Sequence, residues 1–311
     1  MNYLNTTNLR RGTFIKTLAI AAASLLWLVT SSQADTDAPP NEIHKILSCN
    51  IRVALPRDDA KGVGWNDRKE ICASIIRKQN PDIICLQEVL KVQADDMGRF
   101  FPEFHSFGFE GPEMDRYSEG YHGIAKNVIL FSKARYQLIS EGCYWLSEKP
   151  AIGGSISWGS ARARQVNWVR LKELNSQKEF RVLNVHLDHI SPEAREAQTR
   201  FIAEESAQYM DDFPQILVGD FNADASKSPI KFIKEQGWID TYAAIHGPQE
   251  PGFTYHHFIG PEYVTRNGKI DWIFCRGGVQ PVSAGIIKDQ RNGHYPSDHY
   301  FLSAEFVLEP R

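Results

Sequence analysis

The sequence runs to 311 residues, 42% of them hydrophobic and 23% charged, with a formal net charge of −3. An aromatic content of 11% with so little net charge excludes a disordered chain, and 5 Cys in that length exclude a disulfide-stapled scaffold. No apolar run is long enough for a permanent membrane span, which takes about 18 residues or more, and the acidic balance argues against a broadly basic nucleic-acid surface.

Residues 1–34 read as an export signal. Arg10, Arg11 and Lys16 precede an apolar stretch from Leu18 to Val29, and Ser32 and Ala34 supply the small residues of a cleavage site. A short membrane anchor is the alternative. The Arg10-Arg11 pair leaves the twin-arginine and the general secretory routes both open. Losing these three cations without losing an acid moves the formal charge from −3 to −6. The five cysteines (49, 72, 85, 143 and 275) all follow the signal, mostly within apolar runs, and read as buried thiols, with a disulfide as the alternative.

Beyond a polar lead (residues 35–44), strand and helix signals alternate through one catalytic domain, residues 45–311. Lys45–Arg52 predicts a strand, and Asn66–Gln79 a helix with Asn66 as N-cap and Asn80-Pro81 as its stop. Asp82–Gln87, Val128–Phe131, Gln165–Leu171 and Phe180–His186 are further strands, the last two joined by a polar hairpin at Asn175-Ser176. Ser191-Pro192 opens a long helix, with Ser as cap and Pro at the first helical position. Gln215–Val218, Ile270–Cys275 and Tyr300–Val307 complete the strands. Hairpin neighbours mixed with helices imply mixed sheets in a single α/β domain. Three long stretches without structural signal, at residues 53–65, 109–121 and 146–163, are candidates for a binding rim.

Polar residues then recur where the strands end. Asn50, Glu88, His186, Asp220 with Asn222, Asp271, and Asp298-His299 each stand at or beside the end of an apolar run. On one shared sheet edge they would form a single cluster, and several buried carboxylates together require a cation. Hard oxygen donors suit Mg²⁺ or Mn²⁺. No CxxC or HExxH spacing points to zinc, although Asp188 and His189 beside His186 form a zinc-like alternative. Taken singly, Asn50 could cap a turn and Asp220 with Asn222 could form an Asx-turn. Asp271 between apolar neighbours needs a cation or a histidine, and His299 is the obvious partner.

The segments Cys49-Asn50-Ile51-Arg52, Leu86-Gln87-Glu88-Val89, Asn184-Val185-His186-Leu187-Asp188-His189, Gly219-Asp220-Phe221-Asn222-Ala223, Lys269 to Phe274 and Ser297-Asp298-His299 together resemble the endonuclease/exonuclease/phosphatase (DNase I-like) superfamily. They follow the family's order across the whole exported chain. Trp65-Asn66-Asp67-Arg68-Lys69, Tyr144 to Glu148 and Tyr295 to His299 resemble an exported bacterial branch similar to nocturnin and the deadenylases. The resemblance implies a four-layer α/β sandwich, two mixed β-sheets packed face to face with helices outside. It implies Glu88, Asn50 and Asp298 as the Mg²⁺ set, Asp220 with Asn222 orienting the attacking water, and His299 with Asp271 stabilising charge at phosphorus. His186 would bond a phosphate oxygen, Arg164 would clamp phosphate, and Asn127 would touch substrate. Two positions depart from the branch pattern, Ala125-Lys126-Asn127 and His294, and Arg52 stands where DNA-repair members carry an acid.

The expected activity is that of an exported Mg²⁺-dependent phosphodiesterase, acting as a monomer on nucleic acid or nucleotides. Trp65, Trp145 and Trp158, with Arg162 and Arg164, would stack on bases along a rim, unless they are ordinary packing. The alternatives are a phosphomonoesterase or lipid-headgroup phosphoesterase on the same scaffold, and a non-catalytic binding module, which would require lost site residues.

Overall fold

Ile46, Ile83, Ile129, Val182, Ile216 and Leu302 come from six different strands and share one apolar layer. Their chain neighbours Leu47, Ile84, Leu130, Leu183 and Leu217 turn the other way, into two outer layers. Side chains alternate along a strand, so a strand apolar at every position must be covered on both faces. The computed structural model describes residues 42–109 and 125–309, within a unit that spans Asp37–Arg311. The expected export signal, most of the polar lead and nearly all of the 109–121 stretch lie outside the described residues.

The first sheet holds β1 (His44–Asn50), β2 (Ile83–Val89), β3 (Phe104–Phe107), β4 (Lys126–Ser132), β11 (Val279–Ile287) and β12 (Phe301–Leu308), in the order β11-β12-β1-β2-β4-β3. The second holds β5 (Tyr136–Trp145), β6 (Gln165–Glu173), β7 (Glu179–His186), β8 (Gln215–Asp220), β9 (Ile239–Asp240) and β10 (Asp271–Arg276), in the order β5-β6-β7-β8-β10-β9. One pair in each sheet is parallel, β1 with β2 and β7 with β8; the other pairs are antiparallel. The sheets pack face to face over the shared layer. Helices α2 (Trp65–Lys78) and α3 (Lys91–Phe100) cover the first sheet. Helices α4 (Pro192–Ser206) and α5 (Ser228–Glu235) cover the second. This is the expected four-layer α/β sandwich, and each fully buried Ile or Leu contributes roughly 2 kcal/mol to it.

Local signals explain most boundaries. Ser191 caps α4 by accepting the Ala194 N–H at 3.0 Å, as its sequence predicts. Helix α2 begins one residue earlier than expected, because Gly64 takes the cap position and its N–H donates to Asp67 at 3.1 Å. Asn66 is therefore already helical. Within the 53–65 stretch a short helix, α1 (Pro56–Asp59), starts on a proline. None of the five cysteines is bridged; Cys49, Cys72, Cys85 and Cys275 are buried thiols, and Cys143 is exposed.

Candidate active site

The pairing register carries the strand-end residues to one edge. His186 at the end of β7 pairs with Asp220 at the end of the parallel β8, and Asp220 pairs with Asp271 at the start of the antiparallel β10. Three chemically active residues thus form one row across three neighbouring strands. Gly219 makes the row possible: with φ +143°, a Cβ there would lie 1.9 Å from the Val185 carbonyl oxygen. From the first sheet come Asn50, at the end of β1, and Glu88, where the β2–β4 register slips between Leu86 and Val89. Glu88 sits at φ 64°, Arg52 at 57° and Asn222 at 48°. Left-handed backbone at non-glycine residues costs about 1 kcal/mol or more each, and such strain gathers where geometry matters more than stability.

Asp220 is the hub. Its Oδ2 accepts from Asn50 Nδ2 at 3.1 Å and lies 3.4 Å from His186 Nε2 and 3.8 Å from His299 Nε2. Its Oδ1 accepts the Asn222 backbone N–H at 2.8 Å, closing the Asx-turn. His299 Nδ1 meets Asp271 Oδ2 at 2.9 Å, the pairing anticipated from the sequence. Glu88 accepts the Val53 N–H at 2.8 Å and Asn50 Nδ2 at 3.2 Å. Asp298 lies 3.4 Å from the Arg52 guanidinium, which also holds Asp58 at 2.9 Å.

Proton affinities follow this layout. Burial and the nearby Asp271 push the Asp220 carboxyl up to about 7, against the opposing pull of His299 and the Asn222 N–H. Burial also raises Asp298, more than His299 and Arg52 lower it. Burial disfavours charge on His299 too, but Asp271, Asp220 and Asp298 outweigh it and hold the imidazolium to about 10. On Glu88 burial is overcome by the Val53 N–H, His299, Arg52 and Asn50, which keep it below the usual carboxylate range. His186 is driven well below its ordinary value by burial and by Arg164, so it is a neutral ring beside Asp220.

Most of the predicted residues therefore meet, and the hydrogen bonds change the expectation for Asn50. Asn50 Oδ1 accepts the Arg52 N–H at 3.0 Å, so its NH₂ group faces the acids. In this arrangement Asn50 joins Glu88 to Asp220 as a donor, and the oxygen ligands expected with it are Glu88 and Asp298. Asn222 Nδ2 donates to the Leu187 carbonyl at 3.0 Å, which fixes the side chain at the cavity wall. Asn127 does not join the cluster. It is buried, its amide donates to the Gln165 carbonyl at 2.8 Å, and it joins strands of opposite sheets. Asp188 is fully buried and accepts from Ala161, Ile190 and Ser191 N–H groups and the Ser160 hydroxyl. It organises two loops, and its oxygens are committed to those donors rather than offered to a site with His186 and His189.

Above the cluster opens a cavity of about 530 Å³. His186, His299, Glu88, Asp220 and Asp298 reach it, as does the predicted clamp Arg164, whose guanidinium lies 3.2 Å from His189 Nδ1. Sequence reasoning missed Arg57, Arg195, Lys227 and Tyr255, and gave Arg52 no catalytic part; all of these line the cavity. Tyr255 packs edge-on against the His299 ring at 5.1 Å. The one sequence signal for it is the run of rings Tyr255-His256-His257-Phe258 in a loop that precedes β10. The expected tryptophan rim is absent: Trp65 and Trp145 are buried, and Trp158 is half-buried outside the cavity lining. His294 is exposed and lies away from this cavity as well.

Comparison with known proteins agrees with this geometry. The structure of an endonuclease/exonuclease/phosphatase family protein from Bacteroides thetaiotaomicron superposes with a TM-score of 0.76 at 26% identity, covering 86% of this chain and 98% of that one. A mannosyl-6-phosphatase, Bt3783, from the same organism gives 0.75 at 26% identity, over 85% of this chain and 100% of that one. The human nocturnin catalytic domain shares the fold at 19% identity, with a TM-score of 0.66 over 88% and 100%. Residues 47–299 match the family model described as "Endonuclease/Exonuclease/phosphatase family", and the chain belongs to that family of divalent-metal-dependent phosphoester hydrolases.

Proposed function

We propose that this enzyme is an exported, Mg²⁺-dependent phosphatase of small phosphate monoesters such as sugar phosphates. The observation that carries the reading is the cavity wall. Arg52, Arg57, Arg162, Arg164, Arg195 and Lys227 surround a floor that bears Glu88, Asp220 and Asp298. A monoester dianion gains more from such a wall than a diester monoanion does. The mannosyl-6-phosphatase at 26% identity supports the same class. Diester cleavage, expected first from the sequence, would use the same attacking group. It loses the support of the tryptophan rim, because the tryptophans that would have stacked on bases are buried or lie off the cavity. Export rests on the composition of residues 1–34, and fractionation of the producing cell tests it.

The donor set fits a hard cation: Glu88 and Asp298 offer carboxylate oxygens, and burial, which raises both Asp298 and Asp220, leaves carboxylates that a bound cation would stabilise as anions. A divalent ion held there supplies charge neutralisation at phosphorus and at the leaving oxygen. The chain's own groups do the rest. Asp220, with Asn222 beside it, accepts the proton of the attacking water. His299 is kept as imidazolium by Asp271 and donates to a non-bridging oxygen as charge builds there. His186 offers its ring N–H to a second oxygen, and Arg164 holds the phosphate in line for attack. Turnover by metal-stripped protein with and without Mg²⁺ tests the reading on p-nitrophenyl phosphate, mannose 6-phosphate, bis-p-nitrophenyl phosphate and single-stranded DNA. Mg²⁺-dependent release from the monoesters is expected. Cleavage confined to the diester and DNA would return the assignment to phosphodiesterase, and turnover that survives EDTA would end the metal mechanism.

A further inference from the structure

Arg68 is a buried guanidinium with no carboxylate within ion-pair distance among the described residues. Backbone carbonyls satisfy it instead: Val63 O at 3.1 Å from Nε, Pro296 O at 3.1 Å and Ile51 O from Nη1, and Arg52 O at 2.5 Å from Nη2. The rings of Trp65 and Phe258 lie 5.1 and 5.9 Å from the guanidinium and add a modest cation–π attraction, but burying a cation without a paired anion is still costly, so the arrangement calls for a function. Packing of this α2 side chain against its neighbours does not require a charge.

The function lies at the other ends of those peptide groups. The peptide whose carbonyl belongs to Ile51 carries the N–H of Arg52, which donates to Asn50 Oδ1 at 3.0 Å. The peptide whose carbonyl belongs to Arg52 carries the N–H of Val53, which donates to Glu88 Oε2 at 2.8 Å. Gln93 Nε2 supports the same Arg52 carbonyl at 2.8 Å. One guanidinium thus fixes both peptide planes that aim Asn50 and Glu88, across a backbone held at φ 57° at Arg52. A donor on a peptide carbonyl also polarises that peptide and strengthens its N–H as a donor.

From this geometry we propose that Arg68 is a positioning residue that sets the affinity of the site for its divalent cation, acting through the Ile51–Arg52 and Arg52–Val53 peptide groups. The inference rests on the metal-dependent reading above. Lysine keeps the charge but lacks the planar fork that reaches several carbonyls at once. The test measures Mn²⁺ binding to metal-stripped protein by electron paramagnetic resonance, together with melting curves with and without Mn²⁺. Arg68→Lys should raise the Mn²⁺ Kd roughly tenfold or more, the usual effect of losing a group that orients metal ligands. It should also shrink the Mn²⁺-induced rise in Tm. Gln93→Met, which removes one support of the same carbonyl together with the acceptor of the Ala54 and Leu90 N–H groups and leaves Arg68 in place, should move the Kd in the same direction and decides the matter if Arg68→Lys does not fold. A merely structural Arg68 would lower Tm equally with and without Mn²⁺ and leave the Kd unchanged; that result in the folded variants overturns the proposal. Wild-type protein that binds no Mn²⁺ would instead overturn the metal reading beneath it.

Discussion

Gly219→Ala tests whether the catalytic row depends on the close approach of two strands. The added Cβ would sit 1.9 Å from the Val185 carbonyl oxygen and 3.1 Å from the Val185 side chain. Even a very tight contact of 3.0 Å requires β7 and β8 to separate locally by about 1 Å. Residue 219 is held at φ +143°, a conformation essentially reserved for glycine that costs another residue about 1–3 kcal/mol. Overpacking between central strands adds about 1–3 kcal/mol, so a loss of about 2–6 kcal/mol is expected in urea unfolding. The next rung of the same ladder pairs His186 with Asp220, so the shift reaches the chemistry. A misplacement of about 1 Å costs on the order of 100-fold in turnover. The measurements are urea unfolding and kcat on p-nitrophenyl phosphate. A Gly219→Ala protein that keeps wild-type stability and kcat would refute the close-approach argument.

The other predictions concern protons. In metal-free protein the Asp220 carboxyl is raised to about 7, so the folded state holds an extra proton between the ordinary carboxylate range and pH 7, and stability is lost as pH rises through that window. Asp220→Asn should therefore stabilise the metal-free enzyme at pH 8 by ~2–4 kcal/mol while abolishing most turnover; a destabilised variant in thermal melts would contradict this. Asp271 is the largest influence holding His299 protonated to about 10, so the His299 ring, followed by NMR in metal-free protein, should titrate at least one unit lower in Asp271→Asn. An unchanged titration would break the pairing argument. Burial pushes His44 down to about 3 and His256 down to about 4. Both stay neutral in the fold, so stability is full above the ordinary histidine range and falls as pH drops from about 6.5 toward 3. Circular dichroism should show His44→Phe unfolding at a lower pH than wild type, and an unshifted acid midpoint would count against the assignment.

Central strands were legible because they are apolar on both faces and end in polar residues that no packing argument explains. Edge strands were not. In β5 only the two end residues are buried, the interior alternates between exposed and half-buried positions, and residues such as Ser140, Glu141 and Gly142 dilute its signal. Strand β11 is half-buried for most of its length and carries a proline and a register shift. The floor of the site was readable, since Asp220, Asp271 and His299 have no bland explanation when taken together. The rim was not. An arginine in a loop has the same sequence signature whether it faces bulk water or, like Arg57 and Arg195, a cavity. Trp65 misled for a related reason. A tryptophan beside a polar stretch suggests exposure, yet its ring is buried and its N–H donates to Asp96 at 2.8 Å.

Asn127 shows what the remaining polar strand residues do. Two stacked apolar faces could slide over one another with little loss, because burial is not directional. At the catalytic edge the inner layer turns from hydrocarbon to amide. Asn184 Nδ2 donates to the Leu86 carbonyl at 2.9 Å and the Val128 carbonyl at 3.0 Å, while Gln87 Nε2 donates to Asn184 Oδ1 at 2.7 Å. Asn167 Nδ2 donates to the carbonyls of Gly108 and Asn127, and Asn127 returns a bond to Gln165. Apart from the bond to Gly108, just beyond β3, each of these bonds links the first sheet to the second, and each is buried, so a slip would strand several amides at about 1–3 kcal/mol apiece. Gln87 immediately precedes Glu88, and Asn184 lies two residues before His186. The bonds that forbid sliding therefore sit directly beneath the residues whose relative position the chemistry needs. Hydrocarbon holds the two sheets together, and the buried amides fix the register at which the acidic floor and the histidines meet.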